Sequence, residues 1–312
     1  MGMRIFSGTG NPDLAAGIAE RLNEGMGERE LLQFPDGELH VELLDSVRCC
    51  DVYIVQSLSP PADRHLVEML LLADASRRAG AASLTAVIPY LAYARQDRRA
   101  RGREPVAARL VAELIEAAGF NRVVAVDVHS RAIEGFFGIP LEHLTAVPAL
   151  AEAIRSNAST DSVIVAPDLG ATKLAEHYAK LLGCPVVIVR KARLSGEAVA
   201  VSGVVGDVAG RSPIIVDDMI STGATIEAAV RALLEAGCNS EITVVTTHAL
   251  LVGPAVERLR RLPLSRLVAA DTVPLPEEMP LPLERVSVAE LLAEAIRRLH
   301  RRQSLHTLIA RD

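Results

Sequence analysis

The sequence predicts an α/β protein made of two similar domains, each a mostly parallel sheet flanked by helices. Three observations carry this expectation. Strand-like and helix-like patterns alternate along the whole chain. At 312 residues there is room for about two domains of ~150 residues each. Finally, Arg122-Val123-Val124-Ala125-Val126-Asp127 has the layout of Pro213-Ile214-Ile215-Val216-Asp217-Asp218, so the halves read as two versions of one plan. A boundary is expected near Leu144 to Pro148, giving domains 1–147 and 148–312. A cleft between two such domains is the expected place for a ligand.

Taken in order, Arg4 to Ser7 reads as the first strand, followed by a Gly8-Thr9-Gly10 turn. Asn11-Pro12 supplies an N-cap and a first-turn proline for a helix ending near Asn23. Gly8 and Gly10 lack the third glycine of a dinucleotide fingerprint, which excludes a Rossmann cofactor site there. Glu38 to Leu44 alternates polar and apolar positions, and Val52 to Gln56 is a further strand. Ala62 to Arg78 is an amphipathic helix with Leu66, Met69, Leu70 and Ala73 on one face. Ser83 to Ile88 is a strand stopped by Pro89. An arginine-rich loop, a helix over 106–118 and a strand over 122–127 complete the first half. In the second half, strands are expected over 162–166, 186–190, 198–205, 214–218, 241–246 and 265–270. Helices are expected over 170–182, from 226, from 254, and from 288 to about 300, with a proline-rich loop over 272–282.

Half the residues are apolar, which excludes a disordered chain, and no apolar run reaches the ~18 residues of a membrane span. The N-terminus lacks a secretory h-region and cleavage site. Cys49, Cys50, Cys184 and Cys238 show no zinc spacing, so reduced thiols in a cytoplasmic protein are the simple expectation. A net charge of −6 and the absence of Trp argue against non-specific nucleic-acid binding and base stacking.

The candidate site centres on Ile214 to Thr225: an apolar strand, then Asp217 and Asp218, then Ser221-Thr222-Gly223-Ala224-Thr225 opening a helix. Backbone N–H groups and hydroxyls at a helix start suit a phosphate, and the two carboxylates suit sugar hydroxyls or hydrated Mg²⁺. Together they describe a ribose 5-phosphate, although a plain turn and helix cap would use the same residue types. Other clusters stay open on their residues alone. Phe34-Pro35-Asp36-Gly37-Glu38 fits a simple turn or a binding tip. Arg95-Gln96-Asp97 follows a strand end, where α/β proteins place ligands, but also fits a solvated charge run. Asp127-Val128-His129 and Asp168 offer potential metal ligands or structural turns. Arg190-Lys191-Ala192-Arg193, with a flexible-looking loop over 194–197, is either a solvated hairpin tip or a cationic loop over a transferring phosphoryl group.

Together these clusters resemble the ribose-phosphate pyrophosphokinase (phosphoribosyl diphosphate, PRPP, synthetase) family over essentially the whole chain. Besides the stretches above, the resemblance rests on Ser46-Val47-Arg48, Ile88-Pro89-Tyr90, Tyr93-Ala94-Arg95-Gln96-Asp97-Arg98, Arg103-Glu104-Pro105, Gly135-Phe136-Phe137, Gly206-Asp207-Val208-Ala209-Gly210-Arg211 and Ala293-Glu294-Ala295-Ile296-Arg297-Arg298. It implies two phosphoribosyltransferase-like domains: an ATP-side domain, 1–147, and a ribose-5-phosphate-binding domain, 148–312. The last helix could pack back on the first domain. It implies that Phe34, Asp36, Glu38, Arg95, Gln96 and Asp97 hold ATP, and that His129, Asp168 and Asp127 bind Mg²⁺. Lys191 and Arg193 fall on the catalytic loop; Arg193, Asp217, Asp218, Ser221, Thr222, Gly223, Ala224 and Thr225 fall on the ribose 5-phosphate site. The implied reaction passes the diphosphoryl group of ATP to the C1 hydroxyl of ribose 5-phosphate, and the implied assembly is a homohexamer. Ala224 stands where the family carries a second glycine, and Ala192, Leu169 and Ala171 also depart from its pattern. A catalytically weak regulatory homologue is the alternative; a base-specific phosphoribosyltransferase, sharing only the Ile214–Thr225 stretch, is a more distant one.

Overall fold

A computed structural model describes residues 2–309 apart from 157, 196 and 197, with the side chains of 191–202 also outside the description. The chain divides into two units: residues 1–145 with 272–274 and 287–311, and residues 146–271 with 275–286 and 312.

The first unit begins with β1 (Met3–Ser7) and α1 (Pro12–Leu22). Asn11 caps α1 by accepting from the Leu14 N–H at 3.3 Å, Pro12 occupies its first turn, and Asn23 ends it in the left-handed region at φ 55. An antiparallel hairpin, β2 (Arg29–Gln33) and β3 (Leu39–Leu43), precedes β4 (Asp51–Val55) and α2 (Ala62–Arg78). Helix α2 buries Leu66, Met69 and Ala73 as expected, with Leu70 half-buried and His65 and Leu72 added to the inward face. Then come β5 (Ser83–Ile88), α3 (Ala107–Ala117), β6 (Arg122–Val126) and β7 (Leu141–Leu144). These strands form a five-stranded parallel sheet in the order β1-β4-β5-β6-β7. Its central strands are nearly continuous apolar runs, and they are buried on both faces.

The second unit starts with α4 (Val147–Arg155), β8 (Ser162–Ala166) and α5 (Thr172–Leu182). The hairpin β9 (Val186–Ser195) and β10 (Ala198–Val205) follows, then β11 (Ser212–Ile220), α6 (Ala224–Glu235), β12 (Ile242–Ala249), α7 (Ala255–Arg260), β13 (Leu264–Ala270) and β14 (Leu283–Val286). Its seven-stranded sheet runs β10-β9-β8-β11-β12-β13-β14, parallel except at the β9–β10 edge. Val163, Val165, Ile215, Val244 and Leu267 line one sheet face and pack with Ile226, Val230 and Leu233 of α6. Helix α8 (Ala289–His300) follows and lies in the first unit.

The five strands of the first sheet are repeated in order by β8, β11, β12, β13 and β14 of the second. Partners across the first sheet are Ile5, Tyr53, Thr85 and Arg122; across the second they are Ile164, Ile214, Thr243 and Arg266. The hairpin β2–β3 occupies the place in chain order that β9–β10 occupies in the other half. This corrects the pairing read from the sequence. The counterpart of Arg122–Val126 is Arg266–Ala270, not the segment ending at Asp217 and Asp218. Those two carboxylates correspond to Gln56 and Ser57 beyond β4. Similar composition misled: any buried parallel strand ending in an acid looks alike, and only ladder register tells them apart.

Two further expectations change. Strand β11 does not end at Asp218 but runs on to Ile220, because its ladder with β12 continues through Met219–His248 and Ile220–Ala249. Strand β9 does not stop at Arg190 but continues to Ser195, pairing Lys191 with Val201 and Arg193 with Val199. A run of cations gives no apolar signal, so backbone pairing decided this segment. Gly196 and Glu197, expected in a flexible loop, lie outside the described residues. The strands β2 and β7 are polar or too short to show a period of two.

Candidate functional site

In the second unit, three carboxylates gather where adjacent parallel strands end. Asp168 follows β8, and its Oδ1 accepts from the N–H groups of Gly170 (3.0 Å) and Ala171 (3.3 Å), fixing the turn into α5. Asp217 and Asp218 lie on the neighbouring β11, half-buried, with the Asp218 N–H donating to Asp217 Oδ1 at 3.0 Å. Burial, then the negative charges of Asp218 and Asp168, push the Asp217 carboxyl well above its usual range. A group of acids in that state favours a cation or a set of hydroxyl donors beside it. Its all-oxygen character fits a hard cation such as Mg²⁺.

The next turn is built to present backbone N–H groups. Leu251 N–H donates to Ile220 O and Val252 N–H to Ser221 O, both at 3.0 Å. A trans peptide points its N–H opposite its C=O. The amides of Ser221 and Thr222 are therefore turned away from Leu251 and Val252. Gly223 then adopts φ 73, a left-handed conformation that side chains resist, and α6 starts. Helix α6 adds the unsatisfied N–H groups and positive dipole end of its first turn. Ser221 and Thr225 are half-buried, and Thr222 and Ala224 are exposed. Sequence, strand end and helix start together make a cradle for an anion next to a row of carboxylates.

In the first unit, Phe34 to Glu38 forms the tip of the β2–β3 hairpin. Phe34 N–H donates to Glu38 O (2.8 Å), Gly37 N–H donates to Phe34 O (2.9 Å), and Glu38 N–H donates to Asp36 Oδ1 (3.1 Å). Phe34 is 46 % exposed as a residue, and its ring tilts against His40 at 5.7 Å, on a tip that also carries two exposed carboxylates. Arg95 and Gln96 are exposed on the turn after β5, and Asp97 is half-buried there. That turn is tied down by Gln96 N–H to Tyr93 O (2.9 Å) and Ala108 N–H to Gln96 O (3.3 Å). Asp127 and exposed His129 follow β6, the strand next to β5, so both turns leave one sheet edge. Asp127 has φ 39 and donates its N–H to Leu144 O at 2.9 Å. His143 accepts the Val128 N–H through Nε2 at 2.8 Å, which holds the Asp127–His129 turn. His143 escaped the sequence reading, since one histidine on a four-residue strand carries no signal.

The structure thus brings Asp168, Asp217, Asp218 and Ser221–Thr225 together in one unit. Phe34–Glu38, Arg95–Asp97 and Asp127–His129 lie in the other. The side chains of Lys191 and Arg193 lie outside the described residues.

Fold and site define an α/β protein of the phosphoribosyltransferase type, twice over. Residues 3–119 match the family model of the N-terminal domain of ribose phosphate pyrophosphokinase, and residues 141–260 match the phosphoribosyl transferase domain. The chain is 44% identical to the ribose-phosphate pyrophosphokinase of Caldanaerobacter subterraneus subsp. tengcongensis, covering 98% of this chain and 97% of that protein. It is 42% identical to that of Bacillus subtilis, covering 99% and 97%. The crystal structure of phosphoribosylpyrophosphate synthetase from Mycobacterium smegmatis superimposes with a TM-score of 0.91 at 38% identity, covering 97% of this chain and 100% of that one. The chain belongs to the ribose-phosphate pyrophosphokinase family.

Proposed function

We propose that this protein catalyses the Mg²⁺-dependent transfer of the diphosphoryl group of ATP to ribose 5-phosphate, giving PRPP and AMP. The observation that carries this reading is the pairing, on one strand-turn-helix, of the Asp217–Asp218 carboxylates with the amide-rich turn Ser221–Thr225. The turn binds the 5-phosphate through N–H groups and hydroxyls, and the carboxylates accept from the ribose hydroxyls. Phe34 offers its ring face to the adenine, Asp36 and Glu38 accept from polar edges of the nucleotide, and Arg95, Gln96 and Asp97 bind the rest of it. The ribose C1 hydroxyl attacks the β-phosphorus, the bond from that phosphorus to the α–β bridging oxygen breaks, and AMP leaves carrying that oxygen. The C1 hydroxyl proton is lost in the same exchange.

Diphosphoryl transfer of this kind needs positioning and charge neutralisation rather than a covalent nucleophile. Asp168, His129 and Asp127 are the residues that would hold Mg²⁺, which when bound neutralises phosphate oxygens. Lys191 and Arg193 supply cations to the transferring group, and Arg193 also belongs to the ribose 5-phosphate site. Among the described residues no helix is long and apolar enough to cross a membrane. The reading is of a cytoplasmic enzyme of small substrates, with its four cysteines reduced. The protein works as a homo-oligomer, a hexamer by the family pattern.

The test is direct: protein, Mg·ATP and ribose 5-phosphate are mixed, and AMP and PRPP are measured. Both products should appear together, and EDTA should abolish them. A mixture that yields no AMP would refute the reading.

A further inference from the structure

Arg258 lies on α7, on the far side of the candidate phosphate turn, and two of its donors are engaged there. Its NH1 donates to the Thr222 carbonyl at 2.5 Å, and its Nε meets Glu227 Oε2 at 2.7 Å. Glu227 sits in the first turn of α6 and also pairs with Arg231 at 2.6 Å. The guanidinium, whose side chain is 27% exposed, thus ties the turn before α6 to the first turn of α6 itself. It completes a series. The carbonyls of Ile220, Ser221 and Thr222 are taken in succession by Leu251 N–H, Val252 N–H and Arg258.

The consequence lies in the peptide plane. Thr222 C=O and Gly223 N–H belong to one trans peptide and point in opposite directions. Pinning the carbonyl on Arg258 therefore aims the Gly223 amide at the side where the amides of Ser221 and Thr222 already face. Gly223 itself, at φ 73 and ψ 0, has no side chain to fix this plane, so its orientation depends on what the carbonyl bonds. The Glu227 pair holds the guanidinium in place, and most of its charge is spent there rather than on the anion.

We propose that Arg258 is a positioning residue for ribose 5-phosphate: it locks the Thr222–Gly223 peptide so that three consecutive amides converge on the 5-phosphate. The proposal rests on the ribose-5-phosphate reading of this turn and deepens it. It concerns one substrate only, since Arg258 and the turn lie in the second unit and the ATP-type residues in the first.

Steady-state kinetics of Arg258→Ala, Arg258→Lys and Glu227→Gln test it, with calorimetric titration of ribose 5-phosphate without ATP as a second readout. Arg258→Ala should raise KM for ribose 5-phosphate about tenfold, the loss of one charge-assisted hydrogen bond, and leave KM for ATP within about twofold. Arg258→Lys should recover part of the loss, because an ammonium reaches one partner but cannot fork to both. Glu227→Gln keeps the guanidinium but frees it, and should raise the same KM about threefold; it serves where Arg258→Ala fails to fold. The calorimetric affinity should fall by the same factors. An unchanged KM for ribose 5-phosphate in the folded variants overturns the proposal. So does a parallel rise in both KM values that follows a fall in melting temperature. Wild-type protein that makes no AMP refutes the underlying reading instead, and is thereby distinguishable.

Discussion

Arg122 on β6 and Glu142 on β7 form an ion pair across the last two strands of their sheet, and the other sheet repeats it. There Arg266 on β13 meets Glu284 on β14 at the equivalent register positions. The likeness extends to the backbone. Val123 N–H bonds Pro140 O at 2.9 Å as Leu267 N–H bonds Pro282 O at 2.9 Å, and Asp127 N–H bonds Leu144 O as Asp271 N–H bonds Val286 O. Arg266 also donates to Ala153 O at 3.4 Å, near the end of α4.

From this pairing, Arg122→Ala and Arg266→Ala should each destabilise the protein by about 1 kcal/mol, the upper range for a partly exposed ion pair. Urea denaturation would show the midpoints shifting by similar amounts. A midpoint unmoved in both variants would mean the pairs are ornamental to stability.

The same repeat explains a buried acid. Counted on from the ends of their ladders, Thr9 and Gln56 fall where Asp168 and Asp217 fall in the other half, and both hold Glu68. Burial works against the Glu68 charge, but hydrogen bonds from the Thr9 amide and hydroxyl and from Gln56 outweigh it and hold the carboxyl below its usual range. A carboxyl depressed in the folded state contributes stability above its unfolded value of about 4.3, and that stability is lost as pH falls through the folded value. Glu68→Gln should therefore cost about 1–3 kcal/mol at pH 7, and the gap from wild type should close in acid. Melting curves across pH 3–7 would check this; a gap that widens towards acid would contradict it.

Replacing Lys191 by Ala should lower kcat by orders of magnitude while ribose 5-phosphate binding stays largely intact, because the lysine is assigned to the transferring group rather than to the acceptor. Rapid-quench measurement of AMP, alongside calorimetry of the sugar phosphate, separates the two effects. An unchanged kcat would remove Lys191 from the chemistry.

Ala224 is exposed at the start of α6, so no packed neighbour holds its methyl. Ala224→Gly should leave KM for ribose 5-phosphate within about twofold and cost at most about 1 kcal/mol of stability from helix propensity. Gly223→Ala, by contrast, forces a side chain to φ 73 and should cost about 1–2 kcal/mol. Parallel kinetics and thermal melts of the two variants would rank them; the reverse order would show that space, not backbone conformation, rules this turn.

Much of the fold is legible from apolar runs and caps alone. The helix over 62–78 and the strands over 83–88 and 162–166 fall where the sequence places them, because each carries a strong period or a stop such as Pro89. What the sequence hides are facts of pairing. Arg258 and His143 act on backbone atoms of turns far away in the chain, 36 and 15 residues respectively, and no local pattern announces that. Strand β9 runs through Lys191 and Arg193 because β10 lies beside it. The counterpart of β6 in the other sheet is β13, which ladder register shows and composition does not encode.

The helix after each sheet's last strand belongs to the opposite unit. Helix α4 follows β7 yet packs with α5, and α8 follows β14 yet packs with α1, where Ala289 sits against Gly17 and Arg297 donates to Arg21 O at 2.9 Å. Beyond α8, Leu308 O accepts from Thr145 N–H at the end of β7. A protease clip or nonsense codon ahead of residue 289 would leave the second sheet its own strands and strip the cover from α1. Damage at the end of the chain would be felt at its beginning. Expressing either half alone would require redrawing the cut, with each fragment borrowing the other's terminal helix.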